Sequence, residues 1–297
     1  MLGFGASPLG GVFGPVAQEE ATRAVYAALD LGINLFDTAP FYGATKSESV
    51  LGEALVGIPR ERFVLATKVG RYGAANFDFS ADRVMLSIEE SLQRLRVDTI
   101  DIMTCHDIEF VPIDQVVNEA IPALHRARDQ GKIRFVGVSG LPLRIYREAL
   151  DRTSLDTILS YCHHTLNDDS LLDLIPYLQA KQVGIINASP FAMGLLTGAP
   201  PPEWHPAPES LKAACRRAAE HCRARGAELA PLALRFAVSN PSIATTLVGM
   251  RSQQEVEQNV AWLQQPQDTA LQAEVLEILR PVHNVSWPSG NSERARG

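Results

Sequence analysis

The stretch INLFDTAPFYG (33–43) sets the pattern for the whole chain: a short apolar run stops on an aspartate and passes into a turn-rich loop carrying Tyr42. A run of that length, bounded by polar and turn residues, reads as a strand buried on both faces of a parallel sheet. Outward from it, RFVLATK (62–68), TIDIMTCH (99–106) and KIRFVGVS (132–139) repeat the design. DTILSY (156–161), VGIINAS (183–189) and SIATTLVG (242–249) follow, and LGFGAS (2–7) comes before, making eight strands.

Helical patterns lie between them. QEEATRAVYAALDLG (18–32) has acidic residues early and Gly32 at its stop, and SADRVMLSIEESLQRL (80–95) has Ser80 as its N-cap; both follow the rules for helix ends. Pro112 through Gly131, Asn167 through Lys181 and SQQEVEQNVAWL (252–263) continue the alternation. Repeated strand and helix units imply right-handed parallel crossovers, and eight of them in 297 residues predict the α/β class and a closed (β/α)8 barrel. The barrel is expected to form one domain over 1–297, with 280–297 as a C-terminal tail. GAPPPEWHPAP (198–208) is too rich in proline for helix or central strand and reads as a surface loop at the barrel mouth.

Composition narrows the partners. A hydrophobic fraction of 46% with 21% charged residues is enough for a sizeable core. A net charge of −7 argues against a broad basic surface, so neither nucleic acid nor an anionic membrane is the expected partner. No run of about 18 apolar residues suggests a membrane span. MLGFGASPLG lacks the basic start and long apolar run of a signal peptide. Cys105, Cys162, Cys215 and Cys222 lack CxxC pairing, and the last two are expected on one helix. They read as reduced thiols of a cytoplasmic protein. Oligomeric state is not encoded in any of these features.

The informative polar residues sit at strand ends. Asp37 closes the second strand, Tyr42 follows in its loop, Lys68 closes the third and His106 the fourth. All four should meet at the C-terminal face of a barrel, where chemistry is assembled. Taken singly, each has a bland reading: a loop cap for Asp37, a surface charge for Lys68, a satisfied polar residue for His106, packing for Tyr42.

Together, DTAxxY (37–42), ATK (66–68) and the histidine at 106 resemble the catalytic tetrad of the aldo-keto reductase family in order and spacing. GFGASPLG (3–10), SPFAMGLLTG (189–198) and LVGM (247–250) extend the resemblance over essentially the whole chain. CHDIEF (105–110), SGLPL (139–143), LSYCHH (159–164), PPEWHP (201–206) and WPSG (287–290) look like a family member that oxidises L-galactose. The resemblance implies NAD-dependent oxidation of L-galactose at C1 to its lactone. Oxidation of L-fucose or D-arabinose is the near alternative, and a carbonyl reductase or a nucleotide-sensing regulatory subunit the more distant ones.

The chemistry asks for one group to take a proton while hydride leaves carbon. Tyr42 is the candidate, with Lys68 bringing a phenol of pKa about 10 toward the working range and Asp37 holding the lysine. His106 would orient the substrate oxygen. Gly3, Gly5 and Pro8 make only a weak dinucleotide fingerprint, since no helix opens at once and no acidic residue follows at the expected distance.

By resemblance the cofactor instead lies across the barrel face, on the backbone of Gly5 and Ala6 and the side chains of Ser139 and Ser160, its pyrophosphate held by Ser189, Phe191 and Met193. Three departures bear on the nicotinamide end: Ser139-Gly140 stands where the family usually has Ser-Asn, Ser160 where glutamine is common, and Ala188 where an aromatic often stacks. NADP-selective members carry basic residues where this chain has Gly249 and Glu255. A carboxylate repels a 2′-phosphate and can accept from a free ribose hydroxyl, which predicts NAD over NADP, with Arg251 the opposing feature. Ser252 and Asn259 are expected adenosine contacts.

Phe13, Phe41, Tyr72, His163 and Trp204 are expected in loops at the mouth, mixing flat apolar surface with hydrogen-bonding tips that suit a sugar. His163-His164 has no matching carboxylate or cysteine set, and no metal is expected. Family chains usually precede the GFG strand with a hairpin that closes the barrel bottom. Here the sequence opens almost at that strand: either the hairpin is absent or the sequence is truncated, and loss of the hairpin would expose apolar side chains beneath the barrel.

Overall fold

A computed structural model describes residues 1–12 and 14–290. Eight parallel strands close into a barrel in sequence order: β1 Leu2–Gly5, β2 Leu35–Asp37, β3 Val64–Val69, β4 Ile100–Cys105, β5 Ile133–Gly140, β6 Thr157–Tyr161, β7 Gly184–Ala188 and β8 Thr245–Gly249. The ring closes where β1 pairs with β8, Leu2 opposite Thr246 and Gly5 opposite Gly249. All eight apolar runs read from the sequence are strands, with ends shifted by at most three residues.

The strand period of two sorts each run into an inward and an outward set. Leu35, Ala66, Ile102, Leu159, Ile186 and Leu247 form the barrel's own interior. The alternate positions, Phe36, Leu65, Met103, Val138, Ile158, Ile185 and Val248, join the larger core beneath the helices. At the strand-start end the register sets Phe135 beside inward-facing Ile102, and Phe135 is 49% exposed.

Helices α1 Gln18–Asp30, α2 Lys46–Ala54 and α3 Ala81–Leu95 cover the first strands. Past the end of α1, Gly32 has φ +83° and Ile33 N–H bonds to Ala28 O, the left-handed turn that ends a helix on glycine. Ser80 does occupy the N-cap of α3, but its side chain makes no capping bond. Asp78 instead accepts from the Ser80 N–H at 2.9 Å. Cys215 and Cys222 share the helix Glu209–Ala224, whose buried face packs with Leu229–Ala237 and Thr269–Leu279 as a second core. Neither helix nor strand occupies 198–208, and the tail runs on from the turn Arg280–Val282, with 291–297 outside the described residues.

Two contacts fix the loop after β2, which the chemistry depends on. Gly43 has φ +64°, and a side chain there would meet Gly10 O at 2.2 Å, so only glycine lets this loop close on the turn Ser7–Gly10. At the start of α2, Ser47 Oγ donates to Ala6 O at 2.7 Å and lies 2.8 Å from Thr38 Oγ1. One residue on, the buried Glu48 accepts from Thr67 Oγ1 on β3 and Arg94 Nε on α3, both at 2.6 Å. Tyr42 therefore sits in a loop tied to β1, β3 and α3.

Candidate active site

Asp37, Lys68 and His106 come from the ends of β2, β3 and β4, and Tyr42 from the loop between them, so parallel strands in register deliver all four to one face. Lys68 is 1% exposed and spends its ammonium on Asp37 Oδ1 at 2.6 Å and Thr38 O at 2.7 Å. Its Nζ lies 4.8 Å from the centre of the Tyr42 ring. The His106 ring stands edge-on to Tyr42, centroids 5.6 Å apart.

Burial governs the electrostatics. It pushes the Tyr42 phenol above its ordinary pKa; Lys68 opposes this, while the negative charges of Asp37 and Asp107 reinforce it. Burial likewise raises Asp37 against the pull of Lys68. For Lys68 desolvation works downward, yet Asp37 and Tyr42 together raise the ammonium, which stays charged. Desolvation drives His106 down to about 3, so it works as a neutral imidazole. The sequence reading had Lys68 bringing the phenol toward neutrality. Here desolvation outweighs it, and Tyr42 holds its proton at neutral pH.

The four residues open on a cavity of about 790 Å3 that runs over the barrel face, within the range of small-molecule and cofactor sites. Its far wall is the segment after β7. Phe191 is near the right-handed helical region (φ −93°, ψ 14°), and Ser189, Ala192 and Met193 have positive φ of 57°, 47° and 53°. A right-to-left-handed step turns successive N–H groups to one side; within the turn the Ala192 N–H donates to Ser189 O at 2.9 Å and the Gly194 N–H to Phe191 O at 3.0 Å. Such strained non-glycine backbone clusters at ligand clamps.

The sequence matches the aldo/keto reductase family over residues 1–279. The chain is an aldo-keto reductase. It is 52% identical to L-galactose dehydrogenase of Arabidopsis thaliana, over 97% of this chain and 93% of that protein. It is 35% identical to D-arabinose 1-dehydrogenase of Saccharomyces cerevisiae, over 71% of this chain and 67% of that one. Among solved structures, an aldo-keto reductase of Bacillus halodurans in its holo form matches with TM-score 0.79 and 27% identity, covering 99% of this chain and 95% of that chain.

As an aldo-keto reductase the protein is an oxidoreductase, and most of the residues expected at its site meet in the cavity. Gly5, Ser139, Ser189, Phe191, Met193, Gly249, Arg251 and Glu255 line it, with Phe41 and Trp204. Ala6, Ser160, Ser252 and Asn259 do not. On β6 the inward residues are Leu159 and Tyr161, so Ser160 between them faces the helices. Ala6 is fully buried, its carbonyl taken by Ser47, and Asn259 is 5% exposed. Ser252 caps the helix Gln253–Gln264, its Oγ accepting from Glu255 N–H at 3.2 Å.

Two expected sugar contacts are likewise engaged elsewhere in the aldo-keto reductase fold. Tyr72 Oη accepts from Gly70 N–H, and its ring lies under the Arg83 guanidinium. His163 lies past the end of β6 and is buried, Nε2 2.7 Å from Leu141 O and Nδ1 3.1 Å from Asp168 Oδ2. Both tips are satisfied away from the cavity. Phe13 lies outside the described residues. The space an asparagine would need at Gly140 is filled: a side chain there would meet Ile145 Cδ1 at 2.2 Å and Glu109 Oε2 at 2.4 Å.

Sequence reasoning passed over Arg71, Asp107 and Tyr161, which line the cavity. Asp107 directly follows His106, and Tyr161 is one position from Ser160 on the inward parity. Those were the available signals.

Proposed function

We propose that this aldo-keto reductase oxidises L-galactose at C1 to L-galactono-1,4-lactone, with NAD as hydride acceptor. What carries the reading is the convergence of Asp37, Lys68, Tyr42 and His106 on one cavity mouth. The relative of 52% identity named L-galactose dehydrogenase supports the substrate. A cavity of about 790 Å3 that reaches from these four residues to Gly5, Gly249 and the segment Ser189–Met193 has room for a dinucleotide across the barrel face.

Oxidation removes a proton from the C1 hydroxyl and a hydride from the carbon. Bound nicotinamide supplies the hydride acceptor. Neutral His106 holds the C1 oxygen by a hydrogen bond, and Tyr42 exchanges the proton of that hydroxyl. Lys68 stabilises the Tyr42 phenolate, which takes that proton and becomes the phenol, and Asp37 keeps the ammonium in place. Because the raised phenol is protonated near neutrality, the base form grows with pH. Aldose oxidation is therefore expected to rise almost tenfold per pH unit above neutrality until Tyr42 ionises, whereas carbonyl reduction, which uses the protonated phenol, stays level.

The NAD preference rests on Glu255. Its carboxylate accepts from Arg251 N–H at 2.8 Å and Arg251 Nε at 3.2 Å, so it both lines the nucleotide end and restrains the arginine. Glu255→Gln is expected to raise the NADP to NAD ratio of kcat/KM by about tenfold, the effect of one partly screened charge near a phosphate. An unchanged ratio removes Glu255 from the explanation.

The D-arabinose 1-dehydrogenase relative, with a D-threo-aldose 1-dehydrogenase of Pseudomonas at 29% identity, favours oxidation of D-arabinose or L-fucose as the second reading. NADH formation measured with L-galactose, L-fucose, D-arabinose and D-galactose separates the two. The highest kcat/KM with L-galactose supports the first, and no turnover with any aldose overturns both. We also read the enzyme as cytoplasmic, since its four cysteines are all free and buried.

A further inference from the structure

We propose that Asp107 and Arg71 recognise the hydroxyl next to the carbon being oxidised, the C2 hydroxyl of the aldose; this rests on the aldose reading above. Both residues line the cavity. Asp107 stands directly after His106 with φ 55° and ψ 60°, a left-handed conformation that a side-chain-bearing residue adopts at a cost. That conformation turns its carboxylate back beside the histidine, Oδ2 lying 3.6 Å from His106 Nε2. Ser139 Oγ accepts the Asp107 N–H at 3.2 Å and fixes the turn.

Arg71 is ion-paired with the same Oδ2, and its guanidinium carbon lies over the Phe41 ring, 3.9 Å from the ring centre. Phe77 and Phe110, stacked on each other at 4.8 Å, have their ring centres 5.4 and 5.3 Å from it. Its Nε–H is buried with no acceptor among the described residues. The pair joins the loops after β3 and β4, while the Asp107 side chain makes no capping bond in the short turn Ile108–Phe110 that it precedes. Holding two charges in a mostly dry wall is costly, and a fold can usually replace such a pair with apolar residues. A ligand with matched polarity gives the pair a use.

A sugar hydroxyl is both donor and acceptor, so one group can donate to the Asp107 carboxylate and accept from the Arg71 guanidinium. The spacing selects which hydroxyl. His106 takes the C1 oxygen, and a carboxylate oxygen 3.6 Å from its Nε2 is positioned for the oxygen on the adjoining carbon. Phe41, whose ring lies 6.1 Å from Tyr42 and 5.9 Å from His106, offers the flat face between the two ends.

The test compares D-arabinose with 2-deoxy-D-ribose, which differ only in the C2 hydroxyl, and L-galactose with its 2-deoxy form. Wild type is expected to favour the hydroxylated sugar in kcat/KM by roughly 10- to 100-fold, the range for a hydrogen bond to a charged group. In Asp107→Ala the ratio falls toward one, and in Asp107→Asn, which keeps shape and folding, to a few-fold. Arg71→Lys lowers it in part. A wild-type ratio near one, or a ratio that survives in both Asp107 variants while overall activity drops, overturns the proposal and leaves Asp107 a structural role. Failure of the aldose reading looks different: no sugar is turned over by wild type at all.

Discussion

Replacing Tyr42 with phenylalanine is expected to lower kcat for aldose oxidation by about 10³-fold, the middle of the range for losing a positioned proton carrier. The ring survives, so its edge contact with His106 and its place beneath the Lys68 ammonium are kept. Binding of NADH, followed by fluorescence, should change little, and so should thermal stability, because the deleted hydroxyl belongs to a residue that lines the cavity and not to the packed core. The steep pH dependence should vanish with the phenol. Residual activity within about tenfold of wild type would mean that another group moves the proton.

Lys68→Met is expected to abolish measurable oxidation and also to destabilise the fold. Lys68 and Asp37 are both deeply buried, and the lysine is the hydrogen-bond partner of Asp37 Oδ1, while Asp37 Oδ2 has none among the described residues. Removing one partner of a buried pair typically costs about 3–5 kcal/mol, because the other charge is left uncompensated. The sign of its pH dependence follows from Asp37. Burial already raises this carboxyl, and without Lys68 nothing opposes it. A group whose folded pKa lies above its unfolded value is tolerated best below the unfolded value and penalised as pH rises through the folded one. The gap in melting temperature between Lys68→Met and wild type should therefore widen from pH 4 to pH 8. A gap that is flat, or that narrows with rising pH, contradicts the burial of an ionised Asp37.

The barrel was legible because fully buried parallel strands leave a strong mark: eight apolar runs with polar stops, as in INLFDT and TIDIMTC. Short helices left a weaker one. Lys46–Ala54 starts from a left-handed Thr45 and owes its place to the buried contacts of Ser47 and Glu48, which no local propensity shows. At the site, Asp37, Lys68 and His106 could be placed from their positions at strand ends, and Phe41, Tyr42 and Trp204 from the loops expected at the mouth, whereas the partners of other loop side chains could not be read. Tyr72 and His163 carry the right chemistry for a sugar mouth, but their polar tips found backbone partners first. Arg71 and Asp107 carried no signal in sequence because their pairing joins the loops after β3 and β4, 36 residues apart. Ser160 against Tyr161 is a one-residue matter of strand parity, fixed by the register of β6 between its neighbours.

The most direct measurement is the fate of the hydrogen on C1. L-Galactose carrying deuterium at C1 is incubated with the enzyme and NAD, and both products are analysed by mass spectrometry and NMR. Deuterium recovered at C4 of the reduced nicotinamide, with unlabelled L-galactono-1,4-lactone as the sugar product and a slowed single-turnover rate, is the predicted result. Deuterium retained on the sugar, or oxidation at any carbon other than C1, would contradict direct hydride transfer at the mouth formed by Tyr42, Lys68, Asp37 and His106.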